Sequence, residues 1–186
     1  MGLSLESMAI HMPTVLGHPN RAGFRGVLTV VDVASDKSPA GARGHRVLLT
    51  RSAAEAAIPS LMGMGLDYSP ALDRHDARRK IGVITHAEIV GRVIEVGGFL
   101  YARDFPEIVK EIGKPQRQAA SVTGKKSMSA NSRVPNMKLG MSYEITDAVV
   151  EDIKASVWVL SRVTFTGAAV LRRDKAAYCS TWIELV

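Results

Sequence analysis

The run Val157-Trp-Val-Leu-Ser-Arg-Val-Thr-Phe-Thr166 most narrows what this chain can fold into. β-Branched and aromatic residues at that density suit a pleated, half-buried surface and lose rotamer freedom in a helix. The run predicts a strand, and similar signals recur. Residues 24–33 and Arg46 to Thr50 read as strands, residues 81–101 as two or three strands with Gly82, Gly91 and Gly97-Gly98 at turns or bulges, and 139–145 and 147–150 as further strand. A closing strand runs through Trp182 to Val186, and residues 34–45 and 64–80 read as loops. Helical signals are fewer. Ser52 with Glu55 three residues on forms a capping-box pattern, predicting a helix to about Met62 that Pro59 can kink or end. Asp104 is placed to cap a second helix, Phe105 to Ile112, with Pro106 in its first turn. The expected fold class is mainly β with α: a small antiparallel β barrel flanked by two or three helices. A length of 186 residues suits a single domain over 1–186.

Composition excludes some classes. Hydrophobic residues at 46% and charged residues at 23% fit a globular chain. No apolar run approaches the ~18–20 residues of a membrane span, so no membrane association is expected. The N-terminal Met-Gly-Leu-Ser-Leu-Glu-Ser-Met lacks a basic leader and an apolar core and does not read as a secretory signal. Cys179 is the lone cysteine, in what reads as strand, so no intrachain disulfide forms and a reducing cytoplasm is expected. The net charge of +6 is concentrated in residues 113–138, where Lys114, Arg117, Lys125, Lys126, Arg133 and Lys138 occur with no acid. That stretch reads as a mobile basic surface loop within the domain. Its lack of aromatics argues against nucleic acid, since single-strand binding relies on stacking platforms.

Cys-x-x-Cys, His-Glu-x-x-His, a phosphate-binding Gly-rich loop and Gly-x-Ser-x-Gly are all missing, so no metal or other cofactor is implied. His75 sits among charges, Asp73-Arg74-His75-Asp76-Ala77-Arg78-Arg79-Lys80, just before a strand. A nucleophilic serine needs a base near neutral pKa, which histidine supplies. Ser142 follows a glycine on a predicted strand. Taken singly, His75 reads first as an exposed loop histidine and Ser142 as a strand spacer; their order along the chain gives them weight. His86 reads as a strand histidine, and His11, His18 and His45 lie in extended or loop segments.

The segment Leu72-Asp-Arg-His75-Asp-Ala-Arg-Arg-Lys-Ile-Gly-Val resembles the histidine motif of the tailed-phage prohead (capsid maturation) serine proteases, which are related to the herpesvirus assemblins. Leu139-Gly-Met-Ser142-Tyr-Glu resembles their nucleophile motif, and Val163-Thr-Phe-Thr-Gly-Ala-Ala their later Val-Thr-Phe-Pro-Ala block. The resemblance spans about residues 68–178. It implies an assemblin-like barrel and endoproteolysis of scaffold and major capsid proteins inside an assembling procapsid in the host cytoplasm, with Ser142 as nucleophile and His75 as base. The assemblin relatives associate, which leaves a homo-oligomer open. Val159 stands where the phage relatives carry an acid, so the residue orienting His75 falls to Asp147, Glu151, Asp152 or Asp174. Asp152 is favoured because it opens the strand expected beside Ser142; Ser161, Thr164 or a dyad without a third residue are the alternatives. Thr166-Gly167 replaces the family's Pro-Ala, and Gly167-Ala168 or Arg172-Arg173 are the candidate oxyanion donors. The rival reading is a non-enzymatic capsid assembly module with the same barrel.

Overall fold

The computed structural model describes residues 8–10, 17–114 and 138–186. His11 and nearly all of the basic stretch 113–138 therefore lie outside the described residues. The chain is mainly β. Its strands are β1 (Met8–Ala9), β2 (Ala22–Val30), β3 (Arg46–Leu49), β4 (Gly65–Asp67), β5 (Lys80–Val90), β6 (Val93–Leu100), β7 (Leu139–Val150), β8 (Val157–Arg172) and β9 (Trp182–Leu185), with α1 (Arg51–Ala57) and α2 (Pro106–Ile112) between them. The strands form one curled sheet, a half-barrel, in the order β3-β8-β4-β5-β6-β2-β9, with β7 paired to β8 and β1 to β5. Isolated bridges from Val31 to Leu49 and from Ala34 to Leu48 draw the end of β2 toward β3.

The sheet is mixed, which corrects the antiparallel expectation. β8 runs parallel to β3 and to β4, and antiparallel only to β7. The reason lies in the connection between β3 and β4. Parallel strands need a crossover, and α1 with the 3-10 turn Ile58–Leu61 provides it, packing over β8. Leu28, Leu49, Leu61, Leu66, Ile84 and Met141 are fully buried in the core beneath this crossover and inside the curl.

Local chemistry explains where element boundaries differ from the sequence pattern. Thr50, two residues before the expected cap, closes the start of α1: its Oγ1 accepts the Ala53 N–H at 3.2 Å, and Ser52 lies inside the helix. Pro59 ends α1 early, and the chain tightens into the 3-10 turn. The Asp104 carboxylate accepts from Asn20 Nδ2 at 2.9 Å instead of capping α2. Residues 139–150 form one strand that absorbs two irregularities, at Glu144/Ile145 and across Thr146–Val150, where Asp147 adopts φ 52°. Cys179 lies in a turn before β9, its N–H donated to Asp36 Oδ2 at 2.6 Å.

The β5–β6 hairpin needs two glycines for contact reasons, Gly82, where a Cβ would stand 2.3 Å from Phe99 O, and Gly98. A bulge at Thr85 brings Gly98 against β5, where a Cβ would stand 2.0 Å from Val83 O. Gly98→Ala is expected to force the backbones apart and lower unfolding free energy by roughly 1–3 kcal/mol. A melting temperature several degrees below wild type would show it; an unchanged one would refute it.

Candidate active site

Three strands lay the floor of the site. In the register of β8, Ala169 is the partner of Asp67 on β4 and of Ser142 on β7. Register partners project to one face of a sheet, so Asp67, Ala169 and Ser142 form a row across three strands. Glu144 lies two residues along β7 from Ser142 and opposite Gly167. It shares that face, and its carboxylate lies over the glycine: a Cβ at Gly167 would come within 2.7 Å of Glu144 Oε2. The small residues Gly167 and Ala169 thus leave a trough between the carboxylate of Asp67 and the residues of β7.

His75 occupies that trough. Its Nδ1 lies 3.7 Å from Asp67 Oδ1 and 3.8 Å from Glu144 Oε1. Both distances exceed a hydrogen bond. Both ring nitrogens are buried without a hydrogen-bond partner, so Ser142 Oγ is not bonded to the ring. Buried polar atoms are nearly always paired, and an unpaired pair on one imidazole is accounted for by strain, by a catalytic role, or by a bound water or ion. His75 and Ser142 line the same cavity, of about 530 Å³, together with Glu144.

The segment before His75 is built to hold it. Ser69 Oγ accepts the Asp73 N–H at 3.2 Å and stands 2.8 Å from Asp73 Oδ1, making a tight turn in which Leu72 adopts φ 53°. Arg172 N–H, at the end of β8, donates to Leu72 O at 2.7 Å and ties the turn to the sheet. On the other side of His75, the Asp76 N–H donates to Asp67 Oδ1 at 3.1 Å. Lys80 Nζ donates to Asp67 Oδ2 at 3.0 Å. Asp67 is fully buried, yet it is anchored through both oxygens. Burial alone pushes its carboxyl up; the His75 ring, the Lys80 ammonium and the Asp76 N–H outweigh that and hold it below its ordinary value of 3.8. Asp67 is therefore a carboxylate anion 3.7 Å from the imidazole. Tyr143, next along β7, has its hydroxyl pushed up to about 12 by burial and stays neutral.

The candidate orienting acids stand elsewhere. Asp152 lies in the exposed turn beyond β7, where its Oδ1 accepts the Lys154 N–H at 2.8 Å; the carboxylates within 4 Å of His75 among the described residues are Asp67 and Glu144. Glu151 N–H donates to Val159 O at the same hairpin end, and Asp174 pairs with Arg172 at 3.3 Å. Asp152 was drawn by nearness in sequence to a strand that the β7–β8 hairpin carries away from Ser142. The oxyanion candidates are also occupied. Arg172 N–H goes to Leu72 O, Arg173 N–H to Lys138 O, and Ala168 lies within the ladders to both β4 and β7. Among the described residues no group of three His, Cys, Asp or Glu is arranged to hold a metal ion, and no helix is long and apolar enough to cross a membrane.

Because the Asp67 carboxyl titrates lower in the fold than in the unfolded chain, the unfolded chain takes up its proton first on acidification. The stabilisation is present above about 3.8 and is lost as pH falls through the lowered folded value. Asp67→Asn is expected to flatten the acid limb of the stability curve, measured by urea unfolding from about pH 5 downward. Parallel acid limbs for variant and wild type would contradict the assignment of Asp67 as ionised. Neither a protein-family model, nor a curated protein, nor a solved structure matches the chain.

Proposed function

We propose that the chain is a serine endopeptidase of the prohead-protease type, with an assemblin-like barrel, acting on scaffold and major capsid protein segments inside an assembling procapsid in the host cytoplasm. One observation carries the reading: His75, with both ring nitrogens buried and unpartnered, shares a cavity with Ser142 and stands beside the buried carboxylate of Asp67. In this mechanism Ser142 Oγ attacks the scissile carbonyl as His75 takes its proton. The tetrahedral intermediate collapses, His75 returns the proton to the leaving amine, and water repeats the sequence on the acyl-enzyme. Asp67 keeps the ring in one orientation and offsets the imidazolium charge. Catalytic hydrogen bonds are often long in a free enzyme and tighten around substrate, so a small movement of the His75 ring closes its gap to Asp67. No cofactor takes part. β7 pairs with β8 alone among the described residues; the Met141 N–H goes to Thr181 Oγ1 at 3.2 Å, and the outer edge beyond Met141 is where an extended substrate backbone would pair.

The non-enzymatic capsid assembly module remains the second reading. It is favoured by the engaged N–H groups of Arg172 and Arg173 and by the missing bond between Ser142 and His75.

Co-expression with a scaffold protein separates the two. Ser142→Ala is expected to abolish scaffold processing while the fold survives, whereas equal processing by variant and wild type would sink the peptidase reading. With a cleavable peptide in hand, Asp67→Asn should lower kcat on the order of 10³–10⁴-fold, and Asp152→Asn should leave it unchanged. The reverse pattern would return the orienting role to Asp152.

A further inference from the structure

The cavity holding Ser142 and His75 extends well past them. Away from the pair its walls are Ala42, Val47 of β3, Ile145 and Val150 of β7, and Trp158 and Leu160 of β8. Of its lining residues only Glu144, beside Ser142, is an acid, and none is Lys or Arg. One wall is fixed in place. The Trp158 indole stacks on the His45 ring with centroids 4.6 Å apart and planes 15° from parallel, and its Nε1 donates to Ile153 O at 3.1 Å. His45 Nδ1 is held in turn 2.9 Å from Ala155 O. Val47, the register partner of Trp158 across β3 and β8, is held as well: the Tyr178 hydroxyl bridges Val33 O and Val47 O at 3.1 Å each. Small exposed residues, Ala40 and Ala148, stand at the rim.

We propose that this cavity is the side-chain subsite of the peptidase, and that it selects a bulky apolar residue next to the scissile bond. The proposal rests on the peptidase reading and adds the class of substrate. A volume of about 530 Å³ lies within the range of ~300–1,000 Å³ typical of ligand pockets, and it exceeds what a small residue fills. Apolar walls gain from covering an aliphatic or aromatic side chain. A charged side chain loses its water there and finds no partner deep in the pocket. The Glu144 carboxylate at the catalytic end repels an acidic residue further. Continuity decides the occupant: the same cavity that exposes the nucleophile continues into the apolar pocket, so a chain whose carbonyl reaches Ser142 has a neighbouring side chain at its entrance.

The test uses the full chain carrying Ser142→Ala, which removes turnover and keeps the walls. Four acetylated, amidated pentapeptides, identical except for Leu, Phe, Lys or Asp at the centre, are titrated calorimetrically. The Leu and Phe peptides are expected to bind at least tenfold more tightly than the Lys and Asp peptides. Ala148→Trp and Ala40→Trp, which fill the pocket from opposite rims, should each weaken the Leu peptide by tenfold or more at unchanged melting temperature. Equal binding of the four peptides, no binding by any, or indifference to both tryptophans would overturn the subsite. Wild-type protein treated with a fluorophosphonate probes the parent reading separately, through mass-spectrometric labelling of Ser142. Labelling without side-chain selectivity overturns the subsite alone. Selectivity without labelling supports an apolar-peptide pocket and overturns the peptidase.

Discussion

A fully buried carboxylate organises the end of this molecule that holds His75 and Ser142. Taking an ion out of water costs on the order of several kcal/mol unless its oxygens are met by donors, and Asp67 is met on both. The Asp76 N–H, near the end of the connection from β4 to β5, and the Lys80 ammonium, at the start of β5, satisfy it. That connection has to return over the sheet to bring its donors to Asp67. His75 is carried with it, because it precedes Asp76 directly. The imidazole owes its buried position to the needs of a neighbour, and its own nitrogens are left open.

The floor beneath it depends on what β8 lacks. Gly167, Ala168 and Ala169 sit where this long strand is flanked by β4 on one side and β7 on the other. Larger side chains at Gly167 or Ala169 would fill the trough that His75 and the Glu144 carboxylate share. The same strand changes character toward its other end, where Trp158 and Leu160 supply the bulk of the apolar cavity wall. One strand therefore contributes a shallow floor beneath His75 and a deep apolar wall of the cavity.

Much of the β architecture was legible from composition along the chain. The dense β-branched runs locate β2, β3, β8 and β9, and the glycine at the turn separates β5 from β6. His75 and Ser142 line one cavity, without a bond between them. β4 was not legible: Gly65–Asp67 is too short for an alternating pattern to register, and its partner Ala169 is a hundred residues away. Losing β4 meant losing Asp67, which looked like one more polar residue in a loop. The parallel pairings were hidden for the same reason, since strand direction depends on the α1 crossover and leaves no mark within β3 or β8. Asp152 stands away from His75 because closeness along a hairpin says nothing about distance across a sheet.

The register that aligns Asp67 with Ser142 has a consequence for the timing of folding. Ala169 is the common neighbour of both, and β9 pairs back to β2 through contacts such as Arg25 with Glu184. Contacts that bridge such long separations are slow to form, because loop closure has to precede the stabilisation it brings. During synthesis the residue that aligns Ser142 and Asp67 emerges after both of them. A nascent chain holding His75, Asp67 and Ser142 has no common strand on which to bring them together until β8 has left the ribosome. The fold itself delays assembly of the site, with no separate inhibitory segment needed for that interval.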